Sequence, residues 1–236
     1  HGAVAVGRRP RVALLTTGNE IRPAGSELRP GEVYDTAGPA LEALVVGAGG
    51  ELAHRGTVSD DPQLVRDEMR AAAQAADLVV TVGGVSMGDH DHVRAAVQEL
   101  GRLQFWRVAM RPGRPLAFGE FAGTGFLGLP GNPVSACVTF ILFGAPLLWA
   151  MQGASSTEPA TIVVELLEDV EKPEGLETFH RATLRHRPGR CPGARVTGNQ
   201  SSGVTVSLAR ADCLLSLPAR GARLPKGSQV AAIVLP

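Results

Sequence analysis

Acidic residues follow several apolar segments, at positions that could bring their carboxylates into one site. Glu20 follows the apolar run 11–16, Asp60 or Asp61 follows a second run, and Asp89 and Asp91 follow a third. Neighbouring carboxylates repel one another unless a cation lies between them. Mg²⁺ held by one or two carboxylates and by substrate phosphates supplies that charge. We therefore predict a magnesium and phosphate site, with helix capping as the alternative role of Asp60 and Asp89.

Two adjacent glycines, Gly83 and Gly84, lie between the third apolar run and its acidic residues. Glycine lets the backbone turn sharply and lie close to a ligand. The loop continues through Ser86 and Gly88, and we interpret it as a candidate ligand-binding loop. A plain turn from strand to helix is the alternative interpretation.

Three arginines, Arg107, Arg111 and Arg114, cluster around a turn at 111–115 that reads Arg-Pro-Gly-Arg-Pro. The guanidinium group presents a planar fork of donors that matches phosphate oxygens. The cluster predicts a phosphate clamp, and a solvated turn is the alternative.

The segment Pro130-Gly131-Asn132-Pro133 is the most unusual string in the chain. Its prolines fix the backbone just before a predicted helix, whose first N–H groups are unpaired and attract anions. A turn this rigid is rarely needed for connection alone, so we predict that Pro130 and Pro133 shape a ligand pocket.

A transition-metal site is disfavoured by the spacing of the histidines. His90 and His92 would face different directions on a helix, and no third His or Cys stands nearby. The three cysteines share no metal-ligand spacing and are odd in number, so neither a zinc site nor a disulfide framework is indicated. The sequence also lacks the P-loop, the dinucleotide-binding glycine motif, the nucleophile elbow and the zinc-protease motif.

The pattern of apolar segments supplies a scaffold that would bring these loops together. Strands are predicted at 11–16, 51–58 and 78–82, with helices between them. This alternation gives a parallel sheet with helices on both faces. Loops that follow different strands then meet at the carboxyl edge of the sheet. Segment 21–34 holds too many Pro and Gly residues for a regular element and is predicted to be a long loop.

The second half of the pattern adds a helix at 91–100, strands at 103–110, 116–121 and 126–129, and an apolar helix from 134 to 151. The composition changes at 153–156. Beyond that point short segments alternate like strands, at 161–166, 178–186, 204–208 and 229–235. We predict the α/β fold class: a linker at 1–10, a three-layer domain with a mostly parallel sheet at 11–153, and a small all-β domain at 157–236, either a sandwich or a partly closed barrel.

Composition limits the possible partners and locations. Hydrophobic residues make up 44%, charged residues 19%, and the formal net charge is 0, which fits a folded globular protein and gives no indication of nucleic-acid binding. Gly144 and Pro146 interrupt the apolar helix, which we interpret as a core helix rather than a membrane span. The cysteine usage favours a cytoplasmic location. The first residue is His1 rather than Met, and we expect a fragment or a processed product.

Five motifs, in this order, resemble those of the molybdopterin molybdenumtransferase family, the MoeA type, to which the E domain of gephyrin belongs. They are Thr-Gly-Asn-Glu at 17–20, Ser-Asp-Asp at 59–61, Gly-Gly-Val-Ser-Met-Gly-Asp at 83–89, Arg-Pro-Gly-Arg-Pro at 111–115 and Gly-Leu-Pro-Gly-Asn-Pro at 128–133. Segments 200–203 and 211–214 resemble the family's small β domain. The resemblance covers almost the whole chain.

The resemblance implies insertion of molybdate into the dithiolene of adenylylated molybdopterin, with Mg²⁺ and release of AMP. Glu20, Asp60 and Asp91 match the family's active-site carboxylates and are the expected catalytic and metal-binding residues. The motifs and the resemblance together give these candidate cofactor-binding residues: Thr17, Gly18, Gly83, Gly84, Ser86, Gly88, Arg107, Arg111, Arg114, Pro130, Gly131, Asn132, Pro133 and Ser202.

Two features depart from the family. The lysines that are frequent at the Pro-Gly turn are Arg111 and Arg114 here, which keeps the charge but changes the hydrogen-bond geometry. Family members also carry an elongated N-terminal portion of two further domains, which nothing in this chain resembles. Their cleft lies between this α/β domain of one subunit and the N-terminal part of the other. We therefore expect a homodimer and half of an active site in this chain.

Two other functions stay open at this point. Adenylyl transfer to molybdopterin is performed by a related single-domain family with a similar glycine loop, but the Pro-Gly-Asn-Pro segment and the β tail weigh against it. A scaffold or peptide-binding module is the second alternative, because the gephyrin relative binds peptides between its domains. An adenylyltransferase is an expected partner.

Overall fold

The computed structural model describes residues 2–85 and 92–235, which belong to two compact units. The first unit comprises His1–Val108 and Pro115–Thr157, and the second comprises Ala109–Arg114 and Glu158–Pro236. The turn 109–114 thus groups with the second unit, although it lies inside the range 11–153 predicted for one domain.

The strands are β1 (Arg11–Thr17), β2 (Ile21–Arg22), β3 (Val33–Tyr34), β4 (Glu51–Val58), β5 (Leu78–Val82), β6 (Gly101–Arg107), β7 (Met110–Arg111), β8 (Pro115–Phe121), β9 (Thr124–Leu129), β10 (Thr161–Leu166), β11 (Val170–Glu171), β12 (Glu177–Arg185), β13 (Gly193–Val196), β14 (Cys213–Leu217), β15 (Arg223–Leu224) and β16 (Gln229–Val234). The helices are α1 (Ala37–Gly47), α2 (Pro62–Ala75), α3 (His92–Leu100), α4 (Pro133–Thr139), α5 (Ala145–Met151) and α6 (Thr205–Ala209), with a π-helical segment, Phe140–Gly144, between α4 and α5.

The first unit is built on a six-stranded sheet with the order β4-β1-β5-β9-β8-β6. Strands β4, β1, β5 and β9 are parallel, whereas β8 runs antiparallel to β9 and to β6. Side chains of α1, α4 and α5 form the core on one face, and side chains of α2 and α3 form the core on the other. The predicted three-layer α/β fold with a mostly parallel sheet is confirmed.

Burial on both faces explains the continuous apolar sequence of the central strand. All five residues of β5 are buried. Val80 and Val82 belong to the core under α1, whereas Val79 belongs to the core under α2. A strand covered by helices on both faces shows no alternation of apolar and polar residues.

The second unit is a small β domain whose six-stranded sheet has the order β13-β10-β16-β14-β12-β7. An additional pairing of β13 with β12 closes five of these strands into a barrel. The predicted β domain is confirmed, in its barrel form. The predicted strand 103–110 is wrong at its end, because β6 stops at Arg107 and Met110–Arg111 pair with β12 of the barrel.

The predicted strand at 204–208 is also wrong, because this segment forms the short helix α6. Its Ser207 is buried, and the Ser207 hydroxyl accepts bonds of 3.1 Å from both Nε and Nη2 of Arg181. The same hydroxyl donates to the carbonyl oxygen of Val204 at 2.6 Å. A fully buried guanidinium must find acceptors, and this requirement overrides a weak strand pattern.

The apolar segment Pro133–Met151 is long and apolar enough to cross a membrane by length and composition alone. However, 61% of its most apolar stretch is buried inside the protein. Phe140 and Leu148 are fully buried in the first core. This packing supports the interpretation of the segment as a core helix.

A change at Asp61 tests how α2 begins. Its carboxylate accepts bonds of 2.9 Å from the backbone N–H groups of Gln63 and Leu64, and Pro62 occupies the first helical position. We expect Asp61→Ala to lower the free energy of unfolding by about 1 kcal/mol, and Asp61→Asn to have little effect, because Asn caps helices as well as Asp does. Urea denaturation followed by circular dichroism measures both. An equal loss in the two variants would contradict the capping role.

Candidate functional site

The loops after β1 and β4 are joined by a reciprocal pair of hydrogen bonds between Asn19 and Asp60. The Asn19 N–H donates to Asp60 Oδ2 at 3.2 Å, and the Asp60 N–H donates to Asn19 Oδ1 at 3.1 Å. The loops lie side by side because β1 and β4 are adjacent parallel strands that end at the same edge. The Thr-Gly-Asn-Glu and Ser-Asp-Asp segments, whose residues Asn19 and Asp60 are 41 positions apart in sequence, therefore meet as predicted.

The two neighbouring aspartates have different roles. Asp61 caps α2 through its carboxylate, whereas Asp60 contacts Asn19 and leaves its Oδ1 without a hydrogen-bond partner among residues 2–85 and 92–235. The alternative that Asp60 itself caps the helix is therefore wrong. Of the two, Asp60 is the residue available to a ligand.

Glu20 lies at the same edge, folded back over Gly18. A Cβ atom at position 18 would lie 2.7 Å from Glu20 Oε2, and the φ of Gly18 is 149°. Glycine adopts this positive φ without strain, and the Glu20 carboxylate lies over the space that a Cβ atom would fill. Within the described ranges, the Glu20 carboxylate has no hydrogen-bond or ion-pair partner, and the residue is exposed.

Thr17, Gly83 and Gly131 bring the loops after β1, β5 and β9 into contact. The Thr17 hydroxyl donates to the Val82 carbonyl oxygen at 3.2 Å. A Cβ atom at Gly83 would lie 2.8 Å from Thr17 Oγ1, and one at Gly131 would lie 3.5 Å from the Cα of Gly83. Gly84 lies against Val93 of α3, where a Cβ atom would be 2.6 Å from Cγ2. Four strand ends thus release their loops into one region of the first unit.

The Pro-Gly-Asn-Pro segment leads from β9 into α4. Pro130 is buried, Gly131 and Asn132 are exposed, and Pro133 is the first residue of the helix. The Asn132 side chain accepts no capping bond from the helix. The first N–H groups of α4 therefore have no capping side chain from Asn132 and could bind an anion.

Three predicted site residues, Ser86, Gly88 and Asp91, lie outside the described residues, as do Asp89 and His90. The predicted participation of Asp91 in metal binding stays a prediction.

The arginines of the predicted clamp divide between the two units. Arg107 ends β6 of the first unit, opposite Pro115 of β8, and is exposed. Arg111 and Arg114 are exposed and belong to the second unit, where Arg111 pairs with Thr178 of β12.

His180 of β12 lies in a positively charged part of the second unit. Burial lowers its pKa to about 4, and the positive charges of Arg181, Arg111 and Lys172 act in the same direction. His180 is therefore neutral at neutral pH, and Arg111 lies close enough to it to affect its titration.

Sequence reasoning missed Arg181, which supports the loop that carries Ser202. Its guanidinium is fully buried, and Nη2 donates to the carbonyl oxygens of Ser201 at 3.1 Å and Asn199 at 3.4 Å. The Gln200 amide also bonds to the backbone of Arg181, through Oε1 at 2.9 Å and Nε2 at 3.2 Å. Ser202 itself is partly buried. An arginine inside an alternating strand gives no sequence pattern that would reveal this role.

The described residues fit a magnesium ion that is completed by substrate phosphates. Glu20 and Asp60 offer carboxylate oxygens, the ligand type that Mg²⁺ prefers, and one or two protein carboxylates plus phosphates are a usual arrangement. No group of three or more His, Cys, Asp or Glu side chains that could hold a metal occurs in residues 2–85 and 92–235. Within these ranges an ion held by Glu20 and Asp60 would therefore take its remaining ligands from water or from substrate phosphates.

Substitution of Gly83 tests the close contact between the loops after β1 and β5. Gly83 has a φ of 87° and faces Thr17, whereas Gly25 has the same φ with nothing near the position of a Cβ atom. We expect Gly25→Ala to lower the free energy of unfolding by about 1 kcal/mol through backbone strain alone. Gly83→Ala should cost more because it adds a steric clash. Equal losses in urea denaturation would contradict the contact.

His180 gives the second unit a pH-dependent stability. The unfolded chain binds this proton with a pKa near 6.5, whereas the folded chain binds it only near pH 4. The contribution of neutral His180 to the free energy of unfolding is therefore fully present above the pKa of the unfolded chain. It is lost as the pH falls from there toward the pKa of the folded chain. We expect His180→Gln to remove this part of the pH dependence of the urea midpoint. His186→Gln, at an exposed position of the same unit, is the control. An unchanged pH dependence in His180→Gln would contradict the assignment.

Comparison with known protein families matches residues 13–150 to the probable molybdopterin binding domain, and residues 163–235 to the MoeA C-terminal region, domain IV. The molybdopterin molybdenumtransferase of Nostoc sp. is 34% identical over 238 residues, which cover 99% of this chain and 55% of that protein. The molybdenum cofactor synthesis protein cinnamon of Drosophila melanogaster is 36% identical over 220 residues, which cover 92% of this chain and 36% of that protein.

A solved structure, the molybdopterin biosynthesis MoeA protein from Pyrococcus horikosii, superimposes with a TM-score of 0.79 and 30% identity. The match covers 96% of this chain and 55% of that one. The chain spans about half the length, or less, of these three relatives. The resemblance inferred from the five motifs is confirmed. The chain belongs to the family of the probable molybdopterin-binding domain, and this domain is followed by the MoeA C-terminal region.

Proposed function

We propose that this chain acts in molybdenum cofactor synthesis, in the insertion of molybdate into adenylylated molybdopterin with Mg²⁺ and release of AMP. The single observation that carries the proposal is the Asn19–Asp60 pair, which brings two acidic loops together beside the glycine loop. The family match and the names of the relatives support a pterin as the substrate.

The chain's own residues would act mainly by electrostatics and positioning. Glu20 and Asp60 would hold a magnesium ion beside the phosphates of the adenylate. The chemistry that a bound ion would supply there is positive charge, which neutralises the phosphate oxygens and favours cleavage of the bond between AMP and the pterin phosphate. Gly83 and Gly84 let the backbone approach the ligand, and the N-terminus of α4 offers N–H groups to an anion. Hydrolysis of the phosphoanhydride would give AMP and the pterin phosphate. Insertion would join molybdenum to the two dithiolene sulfurs, and one molybdate oxygen would leave as water with the two dithiol protons, so that no oxidant or reductant is needed.

The exposed arginines would bind anionic groups of the substrates. Arg111 and Arg114 are exposed side chains whose planar forks suit oxyanions such as molybdate and phosphate. Ser202 lies on a loop whose backbone is held by the Arg181 guanidinium through the carbonyl oxygen of Ser201. Arg107 is proposed to contribute charge from the end of β6.

We also propose, from the resemblance, a cytoplasmic homodimer in which an N-terminal portion of a second subunit completes the cleft. An adenylyltransferase that supplies the adenylylated pterin is the proposed partner. The comparatively small share of each relative that the chain covers fits this arrangement.

Product analysis with matched variants tests the proposed function. The chain, alone and within its complete subunit, is incubated with adenylylated molybdopterin, molybdate and Mg²⁺, and AMP is measured by chromatography. We expect Glu20→Gln and Asp60→Asn to reduce AMP release by a factor on the order of 100, because each removes a carboxylate that would hold the ion beside the reacting phosphates. Asp61→Asn, which makes the same charge change at the neighbouring position, should leave AMP release unchanged.

Three outcomes would contradict the proposal. The first is AMP release by Glu20→Gln and Asp60→Asn at the level of Asp61→Asn. The second is consumption of ATP with release of pyrophosphate, which would identify adenylyl transfer. The third is binding of partner peptides without binding of molybdopterin, which would identify a scaffold.

A further inference from the structure

Arg22 lies two residues after Glu20, and its guanidinium contacts the turn that carries Asn19 and Glu20. Its Nη1 donates to the carbonyl oxygen of Asn19 at 3.0 Å and to that of Ile21 at 2.8 Å. Its Nη2 forms an ion pair of 2.6 Å with Oε1 of Glu32. One side chain therefore ties the turn after β1 to the far end of segment 21–34.

Glu32 is itself fixed in place. Its Oε2 accepts the backbone N–H of Arg29 at 2.8 Å, its own N–H donates to the Arg29 carbonyl at 3.0 Å, and its side chain is only 12% exposed. The N–H of Arg29, followed by the Arg22 guanidinium, lowers the pKa of Glu32. Glu32 is therefore charged at neutral pH and is held by its contacts with Arg29 and Arg22.

The turn that Arg22 holds is also the one that orients the two carboxylates of the proposed magnesium site. Asn19 exchanges two hydrogen bonds with Asp60, and the Glu20 carbonyl accepts the N–H of Val33 at 2.9 Å. A shift of the Asn19 peptide would therefore move Glu20 and weaken the bonds to Asp60. The segment 21–34, predicted to be a long loop without a regular element, contains β2 and β3, which pair with each other and give it a defined geometry.

The ion pair with Glu32 also determines which carboxylate the Arg22 guanidinium neutralises. A guanidinium near two carboxylates could pair with them and compete with a metal ion. In the part of the chain that the structure describes, Arg22 pairs with Glu32 and with backbone oxygens instead of with Glu20 or Asp60. Glu32 thus keeps the arginine away from the metal ligands.

We propose that Arg22, anchored by Glu32, is a positioning residue that fixes the Asn19–Glu20 turn so that Glu20 and Asp60 bind the same divalent cation. This inference rests on the proposed function, because it assigns a role toward the magnesium ion of that function. Glu32 takes part as the anchor.

The direction in which Arg22→Met changes the affinity for a divalent cation distinguishes a positioning role of Arg22 from a purely electrostatic one. Removal of a positive charge near two carboxylates strengthens cation binding if the geometry stays unchanged. Loss of a side chain that orients metal ligands instead weakens metal binding, typically by a factor of about 10 to 100. The two effects oppose each other, so Arg22→Met separates them.

The experiment uses Mn²⁺ alone as the probe, titrated into the whole chain and followed by the relaxation rate of water protons. Binding at the proposed site is the Mn²⁺ binding that the wild type shows and that Glu20→Gln lacks. We expect Arg22→Met to raise the Kd for Mn²⁺ by roughly tenfold or more. Arg22→Lys keeps the charge but lacks the planar fork, and it should raise the Kd by a smaller factor. Arg29→Met removes the same charge from the same loop and should leave the Kd unchanged.

A second readout tests the geometry directly. Hydrogen exchange at the Asn19 amide, which donates to Asp60, should accelerate in Arg22→Met, while the amides of β1 keep their protection. If Arg22→Met also loses protection in β1, the substitution has disturbed the fold more widely, and the comparison is made with Arg22→Lys instead.

The proposal is overturned if Arg22→Met binds Mn²⁺ as tightly as the wild type or more tightly, or if exchange at Asn19 is unchanged. It is also overturned if the wild type has no Mn²⁺ binding that depends on Glu20. The proposed function fails separately, if the wild type binds Mn²⁺ in this way and releases no AMP from the adenylylated pterin.

Discussion

Two hydrogen bonds between Asn19 and Asp60 join the loops after neighbouring parallel strands, and the candidate site depends on them. The parallel sheet makes the contact possible, because β1 and β4 end at the same edge. Glu20 follows Asn19 in the same turn, and its carboxylate lies over Gly18. A cluster of negative charge therefore forms at this edge, and a divalent cation with a phosphate ligand is the partner that would balance it.

Structural and proposed ligand-binding tasks are divided between neighbouring residues along this edge. Asp61 stabilises α2, which leaves Asp60 available for a ligand. Arg22 pairs with Glu32 and with backbone oxygens rather than with the carboxylates of the candidate site. In the barrel, Arg181 is satisfied by Ser207 and by the carbonyls of the loop that carries Ser202. Charged groups with structural roles are paired, whereas the Glu20 carboxylate has no partner within residues 2–85 and 92–235.

The sequence was sufficient to predict the α/β fold and the meeting of the strand-end loops, because buried strands and helix starts have strong local patterns. It left the choice between Asp60 and Asp61 open, since both can cap a helix. The pairing of Met110–Arg111 with β12 and the helical turn at Thr205–Ala209 were missed. Two-residue strands and five-residue helices have too few residues for a periodic pattern, and the buried guanidinium of Arg181 is satisfied by contacts distant in sequence.

The most direct measurement of the central proposal is anomalous diffraction from crystals of the protein soaked in Mn²⁺. We expect one strong peak at the edge formed by the ends of β1 and β4, with carboxylate oxygens of both Glu20 and Asp60 at about 2.1 Å, the distance expected for a small divalent cation. A peak bound by other carboxylates, with neither Glu20 nor Asp60 among its ligands, would contradict the proposed site.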